Sequence, residues 1–296
     1  MVQKKWLLLP YERITGRYAL ATHAVLAHFP PVSSNYESLF RAFESPVMRR
    51  IRREAYGEDI GQHSWVTADE LRADIGRLQL TAASRLIDLG CGPCGPLTFA
   101  LNAVQCRGVG VDAIEAALQV GRARAESMGI ANLLETRQAD LNATLPFDAS
   151  TFDAAMSLDA VIHVSERASL FAEVARLLRP GGRFLFTDGG VITGPVSNYE
   201  IHQRTPNGVA HFVPPGWNDR LLEAVGLRVI EIENRTASAT RNASGRLAAT
   251  RAHRAELERE ISVQGVDTQI AFLEAVVEVS RRQALSRIMY LAEKVG

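Results

Sequence analysis

The chain has 296 residues, with 33 Lys and Arg against 33 Asp and Glu, so its formal net charge is zero. No strong field draws it to a polyanion, and neither nucleic acid nor an anionic membrane is an expected partner. Apolar residues make up 47% and cysteines number three, which suits a cytoplasmic chain with a sizeable core and rules out a disulfide scaffold.

In chain order, Trp6–Leu9 is an apolar run that stops at Pro10, with Glu12 and Arg13 close behind. That is too short for the core of a signal peptide, and no stretch is long enough to span a bilayer. Residues 1–80 read as a helical cap or lid. From Tyr36 to Tyr56, Leu39, Phe40, Phe43, Val47 and Ile51 recur near one helical face, and Arg49, Arg50, Arg52 and Arg53 read as a solvated basic face. Thr67-Ala68-Asp69-Glu70 spells a capping box that opens a helix reaching about Leu78.

From Arg85 onward, strand and helix patterns alternate. The expected strands are Arg85–Leu89, Gly108–Asp112, Leu133–Gln138, Phe152–Ser157, Arg183–Thr187 and Arg228–Glu233, with Arg287–Ala292 as the last. Ala113–Met128 and Arg167–Leu178 are helical patterns between them. This alternation predicts an α/β domain at 81–296, a Rossmann-like doubly wound sheet that is mostly parallel. A helical insertion at about 235–285 precedes the last strand, with helices expected over Arg241–Ile261 and Asp267–Arg282. Those tail helices also offer a surface on which a homodimer could pair.

The turn after the first strand, Asp88-Leu89-Gly90-Cys91-Gly92-Pro93-Cys94-Gly95, admits three chemistries. Cys91 and Cys94 have the spacing of a redox pair, but a glycine ligand loop in a crossover series is a poor setting for one. Gly90, Gly92 and Gly95 fit the dinucleotide fingerprint, and Asp112 ends the next strand where a ribose-binding acid belongs. Against a pyrophosphate, Pro93 and Pro96 each remove a backbone N–H where phosphates would lie, and Asp88 adds negative charge. The loop therefore suits a cationic ligand better than a diphosphate.

Ile87-Asp88-Leu89-Gly90-Cys91-Gly92 resembles the first motif of class I S-adenosylmethionine (SAM)-dependent methyltransferases. Gly110-Val111-Asp112 is similar to their second motif, Ala139-Asp140-Leu141 to their third, and Leu145-Pro146-Phe147 with Ser150–Asp153 to the run into their fourth strand. Leu177–Arg183 resembles the turn before their fifth, where Pro180 stops a helix and Gly181 and Gly182 are expected to supply positive φ. The matches run in family order from Arg85 to Asp188, and the nearest type is the bacterial small-molecule methyltransferases of sarcosine, dimethylglycine and natural products.

That resemblance implies SAM as cofactor, S-adenosylhomocysteine (SAH) as product and a small-molecule acceptor. It assigns cofactor contacts to Asp88, Gly90, Cys91, Gly92, Gly95, Asp112, Ala113, Asp140, Leu141 and Ser157. Gln62 and Trp65, ahead of the first strand, resemble a lid over the methionine end. After the fourth strand, His163 is the candidate base and Asp159, four residues earlier, its candidate orienter. Asp188, Tyr199, His202, His211 and Phe212 are candidate substrate contacts near the sheet edge. No histidine or cysteine spacing spells a metal site, and no G-x-S-x-G elbow is present. An NAD(P)-dependent oxidoreductase, or a SAM-binding protein that transfers no methyl, remain the alternatives.

Overall fold

A single sheet organises the chain: β1 Arg85–Leu89, β2 Arg107–Asp112, β3 Leu134–Gln138, β4 Phe152–Leu158, β5 Leu178–Ile192, β6 Leu227–Asn234 and β7 Leu285–Lys294. The computed structural model describes residues 39–205 and 210–296; the expectations for residues 1–38 lie outside the described residues. The strand order is β3-β2-β1-β4-β5-β7-β6. β1 to β5 pair in parallel, and β7 runs antiparallel between β5 and β6. Parallel crossovers start in both directions from β1, so the β1–β4 boundary is the switch point at which such sheets bind ligands.

The helices among the described residues are α1 Pro46–Tyr56, α2 Ala68–Arg77, α3 Gly95–Val104, α4 Glu115–Ser127, α5 Arg167–Leu177, α6 Asn198–Gln203, α7 Trp217–Ala224, α8 Thr236–Ala252, α9 Arg254–Ile261 and α10 Val263–Arg281. Leu97 and Leu101 of α3 and Leu118 of α4 cover one sheet face with Leu86, Met156 and Leu185. Phe171 and Val174 of α5 and Leu222 of α7 cover the other with Ile87, Leu89, Phe184 and Phe186. Burial on both faces is why β1 reads as a nearly continuous apolar run. A third layer lies outside this sandwich. Val47, Met48 and Ile51 of α1 pack on Ala249, Leu257 and Val266, and Trp65 packs among Ala239, Ala243, Leu273 and Val276.

Several boundaries differ from the expected ones. Tyr36–Tyr56 is not one helix: Ser45 takes φ −61°, ψ 152° and caps α1, because Pro46 disfavours helical geometry in the residue before it. The segment Arg241–Ile261 divides at His253 (φ −104°, ψ 19°) into α8 and α9. Arg52 does not belong to a solvated face. It is buried, pairs with Asp59 at 2.7 Å and lies 4.1 Å from the Phe43 ring centre. β5 extends beyond Arg183–Thr187 in both directions, and Arg179–Gly182 falls out of register between the pairs Phe152↔Leu178 and Ala154↔Arg183. Gly181 has φ +76° but Gly182 is not left-handed. A Cβ on Gly182 would lie 2.8 Å from the Arg179 carbonyl, so crowding rather than handedness requires glycine there. The Thr67 capping box forms as expected.

Candidate functional site

A cavity of about 1010 Å³ opens at the carboxyl ends of β1, β2 and β4 and is closed above by the helical layer. Its sheet-side wall comes from the turns that follow the strands. Asp88, Gly90, Cys91, Gly92, Asp112, Ala113, Asp140 and Leu141 all line it, together with Asp159 and His163. Trp65 lines it from the helical side. These are the expected cofactor and catalytic positions that the fold brings together.

The remaining expected cofactor positions are close by but serve the scaffold. Ser157 is buried, and its Oγ donates to the Leu89 carbonyl at 2.7 Å, tying β4 to the end of β1. Gln62 is buried too: its Oε1 accepts from Ile60 N–H at 3.0 Å and its Nε2 donates to the Glu58 carbonyl at 3.2 Å. At Gly95 a Cβ would fall 2.0 Å from the Gly61 carbonyl oxygen. The segment ahead of β1 therefore presses directly onto the start of α3, and the third glycine of the fingerprint serves that approach. None of the three lines the cavity.

The expected substrate contacts do not line it either. Asp188 is buried and accepts from Arg167 at 2.5 Å, from Asn218 Nδ2 at 3.0 Å and from Gly190 N–H at 2.8 Å. Buried and already paired with a cation, this carboxylate is engaged by the scaffold. Tyr199 is 71% exposed, and His202 is exposed on α6. Phe212 packs against Val279, Ala284 and Leu285. His211 is held by its backbone, its N–H donating to the Ile162 carbonyl at 2.7 Å and its carbonyl accepting from Arg167 at 2.6 Å. Burial, with Arg167 beside it, pushes the His211 pKa down.

Two carboxylates dominate the electrostatics of the site. Asp88 is buried, and among the described residues it accepts no hydrogen bond and meets no cation; burial, and Asp112 nearby, push its pKa well up. Asp112 is raised by burial, partly offset by the Ile114 N–H on Oδ1 at 2.9 Å and the Gly92 N–H on Oδ2 at 2.8 Å. Each Asp112 oxygen keeps a lone pair for a further donor. Two unneutralised acids beside a glycine turn form a cradle that would be relieved by a positively charged ligand carrying vicinal hydroxyls. SAM has both features, with an ammonium, a sulfonium and a ribose, so the residues present fit it.

Asp159 is arranged otherwise. It sits at φ +60° just after β4, accepts from Trp65 N–H at 2.8 Å and Thr187 Oγ1 at 2.9 Å, and pairs with Arg287 Nε at 2.8 Å. Burial opposes its charge, but Arg287 together with the Trp65 N–H and the Thr187 hydroxyl holds its pKa below the ordinary carboxylate range. Its oxygens are thus engaged by the scaffold, and His163 sits one turn on in a 3-10 segment, Val161–His163. His63, between the Phe40 and Phe43 rings at 5.5 and 6.2 Å, also lines the cavity. Burial, then the positive charge of Arg246, push its pKa down to about 3.

Arg246 of α8 and Phe272 of α10 complete the upper wall. No local motif announces them. They reach the site only because α8 and α10 fold back over Trp65, with Trp65 and Phe272 stacked at 6.3 Å.

Residues 87–186 match the family described as a methyltransferase domain. Dimethylglycine N-methyltransferase of Parasynechococcus marenigrum is 35% identical over 122 residues, which is 40% of this chain and 42% of that one. Among curated relatives, the chain spans between about a third and a half of their length. Phosphoethanolamine N-methyltransferase 2 of Haemonchus contortus, solved with S-adenosyl-L-methionine, superposes with a TM-score of 0.74 at 19% identity, covering 89% of this chain and 60% of that one. The [4+2]-cyclase SpnF superposes with a TM-score of 0.68 at 20% identity, covering 89% and 98%. Residues 87–186 are thus similar to a methyltransferase domain, and the strand order is that of the class I methyltransferase fold.

Proposed function

We propose that the chain transfers a methyl group from SAM to a small-molecule acceptor, releasing SAH. The observation that carries this reading is Asp88, a buried carboxyl with no partner among the described residues, set at the mouth of the glycine turn. When bound, SAM supplies a methyl carbon on a good neutral leaving group. The chain's own work is then to orient and to exclude water. Asp88 faces the cationic methionine end, Asp112 accepts from the ribose hydroxyls, and Asp140 with the Leu141 N–H holds the adenine. Gly90 and Gly92 admit close backbone approach, and Trp65 covers the methionine end. His163 lines the same cavity and is the residue placed to take a proton from an acceptor that must lose one.

Calorimetry with SAM, SAH and NADH tests this directly. SAM and SAH should bind and NADH should not; NADH binding alone overturns the reading. Asp112→Ala should weaken SAH by about 1.5–3 kcal/mol, the range for hydrogen bonds involving a charged group. A SAM-fold protein that transfers no methyl would bind SAM yet fail to release SAH in the presence of any acceptor. The pH–rate profile of His163→Ala then shows whether that side chain carries a proton: an unchanged profile removes it from that role.

A further inference from the structure

The cavity is polarised. Among its described lining residues, every carboxylate (Asp88, Asp112, Asp140, Asp159) comes from the sheet-side turns, whereas the helical wall contributes Arg204 and Arg246 and no acid. Arg204 lies 5.3 Å from the Phe272 ring centre and donates to the Gly189 carbonyl at 3.4 Å. Arg246 lies 5.2 Å from the Trp65 ring centre. The buried arginines elsewhere, Arg52, Arg167, Arg235 and Arg287, each pair with a carboxylate. Arg246 has no carboxylate within ion-pair distance among the described residues, although it lines a partly enclosed, low-dielectric space.

A second polar group beside it is also unmatched. Ser64 lines the cavity next to Trp65, and its Oγ is buried without a hydrogen-bond partner. Tyr56 braces this corner by donating to the Ser64 carbonyl at 3.0 Å, and Arg246 acts on the same phenol. A guanidinium that meets the Tyr56 phenol but no carboxylate among the described residues, and a buried hydroxyl without a partner, set against an aromatic face, have the donor set of an oxyanion site. Of the sheet-side acids, Asp159 reaches the edge of this corner through the Trp65 N–H, but Arg287 already meets its charge, so the charge left without an opposite partner there is that of Arg246.

We infer that the methyl acceptor is a small organic oxyanion, a carboxylate or a phosphate ester, whose charged end is held by Arg246 and the Ser64 hydroxyl. This rests on the methyltransferase reading above. The aromatic pair Trp65–Phe272 then bounds the body of the acceptor, and its nucleophilic atom points away from Arg246 toward the sheet-side turns. Pairing with the anion also neutralises the charge that Arg246 exerts on His63.

The test titrates acetate and inorganic phosphate into the SAH-saturated protein, so that the methionine carboxylate subsite is already filled. Binding is followed by calorimetry and by the His63 imidazole resonance. The expected result is millimolar binding of one or both anions, with His63 titrating at higher pH in the complex. Arg246→Gln should weaken the anion by about tenfold or more while SAH affinity holds, Arg246→Lys should restore part of it, and Ser64→Ala should give a smaller loss. Acetate against phosphate decides between the carboxylate and phosphate classes. The inference falls if neither anion binds up to about 100 mM, or if Arg246→Gln binds them as well as the parent. It also falls if that variant loses SAH in equal measure, because Arg246 would then serve the methionine carboxylate. Failure of the parent protein to bind SAH overturns the methyltransferase reading instead, and the two outcomes are separately visible.

Discussion

Asp88 and Asp159 sit at the carboxyl ends of adjacent strands and face one cavity, yet the protein treats their charges in opposite ways. Asp159 has Arg287, Thr187 and the Trp65 N–H, and its pKa is held low. Asp88 has no such partners among the described residues, and burial pushes its pKa up. The pair separates scaffold from site. A carboxylate whose charge is met from within stabilises the fold, whereas one left unmet in a cavity is paired only when a ligand arrives. The same contrast divides the arginines, since Arg287 is paired with carboxylates and Arg246, among the described residues, is not.

The strongest way to break this comparison is to remove the cation. Arg287→Met leaves Asp159 buried without its partner and releases Glu70, which Arg287 also holds at 3.1 Å. Breaking a buried pair from one side costs about 3–5 kcal/mol, and urea unfolding measures it. The pH dependence should invert as well. In the parent, the Asp159 contribution is complete above its ordinary pKa of 3.8 and is lost as pH falls through the lower folded-state value. In the variant burial, the largest influence, is opposed only by the Trp65 N–H and Thr187 hydroxyl bonds and raises the folded-state pKa, so stability should rise as the carboxyl is protonated. A variant with the parent's stability and pH profile would remove Asp159 from the scaffold.

Asp88→Asn tests the other half. Removing a charge that burial disfavours should leave the ligand-free protein at least as stable, read by its Tm, while SAM binding weakens by about 1.5–3 kcal/mol. In the parent, SAM affinity should fall as pH drops through the raised Asp88 pKa, because only the ionised form attracts a cation. Equal losses of stability and affinity would make Asp88 a structural acid like Asp159.

How far the sequence revealed this arrangement depends on the range of the interaction. The β1–β5 series and the cavity-lining turns are local: apolar runs, glycines and acids within a few residues of one another specify them. The Thr67–Glu70 capping box is local too. The four-residue spacing of Asp159 and His163 suggests a helical turn, but Asp159 is left-handed at φ +60°, and its pairing with Arg287, 128 residues further on, leaves no local trace. Arg246 and Phe272 were hidden for the same reason, since periodicity marks which face of a helix is buried and not what it is buried against. Asp188 carried the right residue type at the right strand end, and only Arg167 and Asn218 show that its charge is already met within the scaffold.

Ser157 sharpens the line between holding the site and touching the ligand. It lies at the end of β4, where a cofactor contact is a reasonable expectation, but its hydroxyl is buried and donates to Leu89 O. Ser157→Ala should therefore cost about 0.5–1.5 kcal/mol of stability, the usual net worth of one such bond. SAH affinity should stay within error of the parent. A larger loss of affinity than of stability would return Ser157 to the cofactor contacts.

The smallest effect is expected at Tyr199, and there the absence of an effect carries the argument. An aromatic residue near a sheet edge is a natural candidate for a substrate lid, yet its side chain is 71% exposed on α6 and does not line the cavity. Tyr199→Ala should change stability by no more than about 0.5 kcal/mol, as for a surface position without partners. kcat/KM should likewise stay unchanged. If turnover falls while the Tm holds, α6 must close over the cavity during the reaction, and the helical wall would then include a moving part as well as the fixed layer built by α1, α8 and α10.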